Sequence, residues 1–222
     1  MQIVAISDTH GKHDQVDIPD CDVLVHAGDF TMAGTLGEVS KFADWMCALP
    51  AAYKIVIAGN HDFAMAGVVG KELLRERGIT YLQDEATSIE GLQFYGSPWV
   101  PQFGQWAFMK ARDELATVWA RIPSDTDVLV THGGPHGLMD EAPREGGGSE
   151  KVGCAYLLEH VRRVRPRLHI FGHIHEGYGM VADDDRLSCN AAICDGAYRP
   201  VNAPWSIELD SKLWHVNLVA TG

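Results

Sequence analysis

Five short aliphatic runs, each ending abruptly in a polar cluster, set the pattern of this chain: residues 2–6, 22–26, 53–58, 127–131 and 167–171. They are rich in Val, Ile and Leu and have the length of strands buried on both faces. Between them the apolar spacing changes to steps of three and four. Leu36, Val39, Phe42, Ala43, Met46 and Leu49 make one amphipathic stripe, closed by Pro50. Residues 68–77, 111–121 and 154–164 carry similar stripes, the last stopped before Pro166. Strands alternating with helices predict a mainly α/β layered fold.

Two further regions read as antiparallel additions, and with them a second sheet is expected. They are residues 87–95, turning at Glu90-Gly91, and residues 178–219. The stretch Glu145-Gly146-Gly147-Gly148-Ser149-Glu150 is compositionally loose and lacks phosphate-loop spacing, so it reads as a mobile surface connection, with an active-site flap as the alternative. There is no internal repeat. A length of 222 residues, 46% hydrophobic and 22% charged, suits one well-buried core, and residues 1–222 are expected to form one domain.

Charge and cysteines narrow the setting. A formal charge of −12 excludes generic duplex nucleic acid as a partner, because phosphate backbones recruit clustered Lys and Arg. The nearest approach to a cluster, Arg162, Arg163, Arg165 and Arg167, reads as a solvated helix end. Five cysteines (Cys21, Cys47, Cys154, Cys189, Cys194) are an odd number without tight pairing and are expected to be free thiols, with Cys189 and Cys194 packing rather than clasping a metal. Met1 reaches Asp8 with no basic or apolar leader, and no apolar run nears the roughly 18 residues of a membrane span, so a cytoplasmic protein without a membrane partner is expected.

The polar clusters carry the chemistry. They are Ser7-Asp8-Thr9-His10, Gly28-Asp29, Gly59-Asn60-His61-Asp62, Thr131-His132-Gly133 and Phe171-Gly172-His173-Ile174-His175. Taken singly, a histidine at a strand end is a satisfied polar group and a Gly-Asp pair a turn. Five such clusters, each just after a predicted strand, supply the Asp, His and Asn donors that divalent cations take, and they are expected to converge along one sheet edge. His13, His26, His160, His169 and His215 stand outside this pattern and are read as structural, with His13 the best exception because it follows His10. Asn190 and Asn202 are expected to order the C-terminal segment by hydrogen bonds.

In this order the clusters resemble the calcineurin-like metallophosphoesterase superfamily, whose pattern runs D-x-H, G-D, G-N-H-[DE], an isolated H and G-H-x-H. The flanking words His26-Ala27-Gly28-Asp29-Phe30-Thr31, Ala58-Gly59-Asn60-His61-Asp62 and Phe171-Gly172-His173-Ile174-His175-Glu176-Gly177-Tyr178-Gly179 look closest to the metallophosphoesterase-domain-containing family of small phosphodiesterases. The resemblance implies a four-layer α/β/β/α sandwich with two mixed β-sheets and two divalent ions, manganese first and iron or zinc as alternatives. It gives one ion Asp8, His10, Asp29 and His175, and the other Asp29, Asn60, His132 and His173. Asp29 would bridge them and a bridging hydroxide would attack phosphorus. His61 and Asp29 are the implied catalytic residues, His61 beside the leaving oxygen. Gly172 is expected to make the turn that lets His173 and His175 face one site. One departure concerns G-D-x-x-D: Met32 stands where a carboxylate would orient His61, leaving Asp62 or water to do so.

The implied substrate is a small phosphate ester, a cyclic nucleotide among the candidates. Asn60, His61, Trp99 and His136 are the expected contacts, with Phe103 and Trp106 near Trp99 as further stacking groups. The competing readings are a phosphomonoesterase or nucleotidase using the same site and a non-catalytic metal-binding scaffold. Oligomeric state is left open.

Overall fold

The computed structural model describes residues 1–144, 146–183, 186–209 and, for the backbone alone, 216–218. The chain opens with β1 (Gln2–Ile6), β2 (Val23–His26), β3 (Tyr53–Val56) and β4 (Thr80–Tyr81). It crosses to a second sheet with β5 (Glu85–Ile89) and β6 (Leu92–Ser97). Next come the short pair β7 (Val100–Pro101) and β8 (Met109–Lys110), then β9 (Val128–Thr131) and the hairpin β10 (Glu141–Pro143) with β11 (Ser149–Lys151). Then follow β12 (Leu168–Phe171), β13 (Gly179–Asp183), β14 (Arg186–Asn190), β15 (Trp205–Leu209) and β16 (Val216–Leu218).

The first sheet has the order β16-β15-β1-β2-β3-β4 and the second β13-β14-β12-β9-β6-β5. Both are mixed. The run β1 to β4 is parallel, as is β14-β12-β9-β6; antiparallel strands extend the first sheet on its β1 side and the second sheet on both sides. The Glu90-Gly91 turn closes β5 on β6 with both residues at positive φ, as a two-residue hairpin requires. Strand β6 is more than an antiparallel addition, however: its other edge pairs in parallel with β9.

Alternation along the strands explains why two sheets stack. Ile3, Ala5, Val23, Val25, Ile55 and Ile57 of the first layer meet Phe94, Val128, Val130, Leu168 and Ile170 of the second in one dry core. The intervening residues face outward and are covered by helices. Val4, Ile6, Leu24 and Val56 pack with Val39, Phe42 and Met46 of α1 (Leu36–Ala48) and Leu74 of α2 (Val68–Arg75). Tyr95 and Leu129 pack with Leu115 and Trp119 of α3 (Arg112–Trp119) and Leu157 and Val161 of α4 (Ala155–Val164). The result is the expected α/β/β/α sandwich.

Helix α1 starts on a capping box, with Thr35 accepting from the Glu38 amide and the Glu38 side chain reaching back to the Thr35 amide. No helix among the described residues is long and apolar enough to cross a membrane. The five cysteines are all unpaired. Arg167 corrects the solvated-helix-end reading, because it is buried where the chain enters β12, while Arg163 donates to the Ile122 carbonyl at 2.9 Å. The 145–150 stretch caps the β10–β11 hairpin, closed by the Gly147 and Arg144 amides on the Arg144 and Gly148 carbonyls, with Glu145 itself outside the described residues. Asn190 and Asn202 behave as expected, donating to the Ile174 and Ala192 carbonyls. His215 also lies outside the described residues.

Phe42 is the anchor of α1, stacked on Phe30 with centroids 4.3 Å apart and edge-on to His26 and His13. Phe42→Ala should cost about 3–5 kcal/mol through lost burial and the cavity left behind. Leu36→Ala on the exposed end of the same helix should stay within about 0.5 kcal/mol. Urea unfolding of the two variants checks the contrast, and equal losses would refute the packing account.

Candidate metal centre

All five clusters follow the C-terminal ends of parallel strands, but they leave two sheets rather than one. Ser7 to His10, Asp29 and Asn60 follow β1, β2 and β3 of the first sheet; His132 follows β9, and His173 and His175 follow β12, of the second. The sheets are tied together at this end. The Ser7 amide donates to the Ala191 carbonyl and the Ile193 amide to the Ser7 carbonyl, both at 2.8 Å, so the chain beyond β14 pairs with the chain beyond β1.

The side chains gather into two groups. Asp8 Oδ1 lies 3.5 Å from His175 Nε2 and 4.0 Å from His10 Nε2, and these two imidazole nitrogens are 3.2 Å apart. Asp29 Oδ2 lies 3.4 Å from His132 Nε2, which is 3.1 Å from Asn60 Oδ1, and the His173 ring is 5.0 Å from that of His132. The same Asp29 oxygen is 3.9 Å from His10 Nε2 and so faces both groups. Donor atoms of Asp8, His10 and His175, and separately of Asp29, His132 and His173, lie within 4.8 Å of one another.

Backbone geometry aims these groups. Asp8 (φ 53°), His10 (φ 44°), Asp29 (φ 55°) and His173 (φ 72°) all adopt the left-handed conformation, which costs a non-glycine residue about 1–2 kcal/mol. Cross-loop hydrogen bonds hold three of them: Asp8 N to Gly28 O, His10 N to Asp29 O, and His173 N to Asp8 Oδ2, at 2.9–3.0 Å. The expected role of Gly172 is therefore corrected. The reversal that lets both imidazoles face the site falls on His173, whereas Gly172 is needed because a Cβ there would collide with the Asp8 carboxylate and Ser7. Gly59 is similar, its missing Cβ leaving room for Asp29 and the His132 ring.

Main-chain carbonyls orient three imidazoles. His132 Nδ1 donates to Ala27 O at 2.9 Å, His175 Nδ1 to Asp195 O at 2.8 Å and His61 Nδ1 to Met32 O at 2.8 Å. A carbonyl only accepts, so each ring carries its proton on Nδ1 and turns Nε2 toward the site. The Met32 carbonyl answers what holds His61, and Asp62 does not contribute. Asp62 instead accepts from Asp29 N, Gly59 N, Thr31 N and Thr31 Oγ1 at 2.7–2.9 Å.

Charge is distributed to match. Burial opposes ionisation of every group here, yet His132 is raised to about 9 by Asp29, and His175 to about 9 by Asp8. The partner carboxyls fall: Asp29, despite burial, to about 2 beside His132, and Asp8, despite burial, well below the carboxylate range beside His175. His10 and His173 are lowered to about 4, chiefly by burial. Burial and the charge of Asp29 push Asp62 up to about 7 against its four donors. Without metal, the centre is thus two imidazolium–carboxylate pairs with two neutral imidazoles. Asp8 Oδ1 is buried without a hydrogen bond among the described residues, and the carboxylate, amide and imidazole donors fit divalent cations.

A cavity of about 540 Å³ opens over His10, Asp29, Asn60, His61, His173 and His175. Phe103 and Trp106 wall it, the first leaning on His173 and the second lying over His61 with centroids 4.6 Å apart. Two expected contacts are absent from its lining. Trp99 points away, its Nε1 donating to Asp84 at 2.9 Å and its ring beneath Lys110, and His136 pairs with Asp140 at 3.5 Å. Tyr198, edge-on to His10 at 4.7 Å, lines the cavity and was not foreseen, since nothing in its neighbourhood carries a spacing signal. The β10–β11 hairpin borders the cavity through Ala142, Glu150 and Lys151. His26 and His169 bond to Thr9 and Thr131, His13 packs on Phe42 and Trp45, and His160 accepts from Arg163; none joins the two groups.

The family model for calcineurin-like phosphoesterases matches residues 1–177. Metallophosphoesterase domain-containing protein 1 of Homo sapiens is 42% identical over 233 residues, covering 94% of this chain and 71% of that protein. A UPF0046 protein of Caenorhabditis elegans is 39% identical over 209 residues, covering 88% and 70%. Among solved structures, phosphopantetheinyl hydrolase from Mycobacterium tuberculosis superposes with a TM-score of 0.60 at 14% identity, over 89% of this chain and 90% of that one.

With His132 and His175 as cation ligands, both rings would have to lose the Nε2 proton, so cation uptake at neutral pH should release about two protons per chain and tighten as pH rises toward 9. Stability of the metal-free protein should run the other way. The contribution of the two raised histidines is complete below about 6.5 and is lost as pH climbs through 9. Calorimetric titration in buffers of different ionisation enthalpy counts the protons, and a count near zero would contradict the charge assignment.

Proposed function

The chain belongs to the calcineurin-like phosphoesterase family, and on that premise we propose that it hydrolyses small phosphodiesters, cyclic nucleotides among them, at a centre of two divalent cations. Asp8, His10, Asp29 and His175 would hold one ion and Asp29, Asn60, His132 and His173 the other. The observation that carries this reading is the single Asp29 oxygen facing both groups, since one shared carboxylate can reduce the repulsion between neighbouring cations. Manganese is the ion we assign first, with iron and zinc compatible with the same oxygen and nitrogen donors. Bound there, the cations would offset phosphate charge and make a water molecule acidic enough to serve as nucleophile near neutral pH.

The chain's own residues supply the rest. Asn60 and Asp29 fix the floor on which the phosphate rests. His61, with Nδ1 committed to Met32 O, has Nε2 left to serve the leaving oxygen as donor of a proton or hydrogen bond. Trp106 packs against this ring with centroids 4.6 Å apart.

Charge in the cavity favours a diester over a monoester. Beyond the metal-binding groups, its Lys and Arg are Lys151 and Arg112, set against Glu150 and Glu176, and the Arg112 guanidinium is already committed to the Gly153 and Val152 carbonyls. Such a lining has no surplus cation for the second charge of a monoester, while Phe103 and Trp106 can receive an organic substituent. Five unpaired cysteines support a reducing, cytoplasmic setting, and the continuous core between the sheets supports a single domain.

The test is turnover by manganese-loaded protein of bis(4-nitrophenyl) phosphate, 4-nitrophenyl phosphate and the 2′,3′- and 3′,5′-cyclic nucleotides. Diesters should be preferred, and Asp29→Asn should lower kcat by about 10³-fold, the loss of several kcal/mol of charge stabilisation. Preference for the monoester would overturn the diesterase assignment. Loaded protein no faster than Asp29→Asn on any ester would make the chain a non-catalytic scaffold.

A further inference from the structure

We propose that Glu38, half-buried at the start of α1 and outside the cavity, is a positioning residue for His61, acting through the Met32–Ala33 peptide. The inference rests on the assignment of His61 as donor to the leaving oxygen. Glu38 Oε1 accepts the amides of Met32 and Ala33, both at 3.0 Å, and Oε2 accepts the Thr35 amide at 2.9 Å and the Thr35 hydroxyl at 2.8 Å. Only the Thr35 contacts belong to the helix cap. The other two hold a loop whose side chains at Met32 and Ala33 are exposed and cannot anchor it.

Peptide planarity links the carboxylate to the imidazole. The Ala33 N–H and the Met32 C=O are opposite ends of one trans unit, so when the first points at Glu38 the second must point away from it. It points at His61 Nδ1, 2.8 Å distant. Carboxylate, peptide and imidazole form one chain of hydrogen bonds, and an anion at one end polarises the carbonyl at the other, making it a stronger acceptor than an ordinary main-chain oxygen. Position 32 holds no carboxylate, but a negative charge acts on His61 from one peptide further away. The loop is otherwise fitted closely to the His61 segment: Ala64 N donates to Gly34 O at 2.9 Å, and a Cβ at Gly34 would press on the His61 carbonyl.

Three substitutions separate this role from helix capping. Glu38→Ala removes direction and charge together. Glu38→Gln keeps an oxygen for the Met32 and Ala33 amides without the charge. Thr35→Ala weakens the cap and leaves the Glu38 contacts to Met32 and Ala33. In the metal-free protein, nitrogen-15 NMR of the imidazoles should show a slowly exchanging Nδ1–H for His61 in wild type, Glu38→Gln and Thr35→Ala, lost in Glu38→Ala. In the manganese-loaded enzyme, Glu38→Ala should lower kcat about 10- to 100-fold on an alkyl diester and much less on bis(4-nitrophenyl) phosphate, whose leaving group needs little help, with KM and bound metal unchanged. Glu38→Gln should fall between. An unchanged His61 signal in Glu38→Ala, equal losses on both leaving groups, or the same leaving-group dependence in Thr35→Ala would each overturn the proposal. If wild type cleaves neither diester, the functional reading fails, and the NMR comparison still decides whether Glu38 holds His61.

Discussion

The buried carboxylate of Asp62 accepts four hydrogen bonds from the loops after β2 and β3, and the orientation of Asp29, the carboxylate that faces both groups, follows from it. By holding the Asp29 and Gly59 amides on one oxygen, it locks the left-handed turn at Asp29 against the turn that begins Gly59-Asn60-His61. Asp29 Oδ1 is then taken by the His61 amide at 2.7 Å, which leaves Oδ2 to face His10 and His132. The two oxygens of Asp29 thus have separate duties, one structural and one presented to the site. Burial, and after it the charge of Asp29, raises Asp62, and a cation held by Asp29 would offset the second of these.

This arrangement is costly to the backbone. Four left-handed residues at about 1–2 kcal/mol each represent several kcal/mol of backbone strain. The layers around the centre make it sustainable: strands buried on both faces, their ends tied by the Ser7 pairing, leave the loops little freedom to relax. The imidazolium–carboxylate pairs of His132 with Asp29 and His175 with Asp8 supply part of the charge balance that cations would otherwise provide. The donor groups are thus held by the fold's own hydrogen bonds and packing.

The legible parts of this site are those written in side chains. Strand ends announce themselves where Val, Ile and Leu give way to Asp, His or Asn, so the five clusters and all the residues that converge were readable. Sheet membership was not, because alternation tells which face a residue takes but not which sheet a strand joins. The two- and three-residue strands β4, β7, β8, β10, β11 and β16 are too short for any period. Trp99 and Trp106 illustrate the limit: both sit in one aromatic-rich stretch, and contacts remote in sequence, Asp84 on the Trp99 indole among them, accompany the ring that stays out of the cavity.

Main-chain acceptors were the largest blind spot, for they have no letter. Ala27, Asp195 and Met32 act through carbonyl oxygens, and nothing about an alanine, an aspartate or a methionine at those positions suggests an imidazole opposite. The apparent defect at Met32 arises from this. A missing carboxylate reads as a missing function only if the side chain is the sole route to the histidine; the backbone offers another. Glu38, visible in the sequence as the third residue of an ordinary capping box, looks fully explained by its helix. Its grip on the Met32 and Ala33 amides is unneeded for that cap and places its charge one peptide away from His61. A motif can therefore keep its electrostatic logic while losing the residue that usually carries it, provided that a planar peptide stands between the charge and the ring.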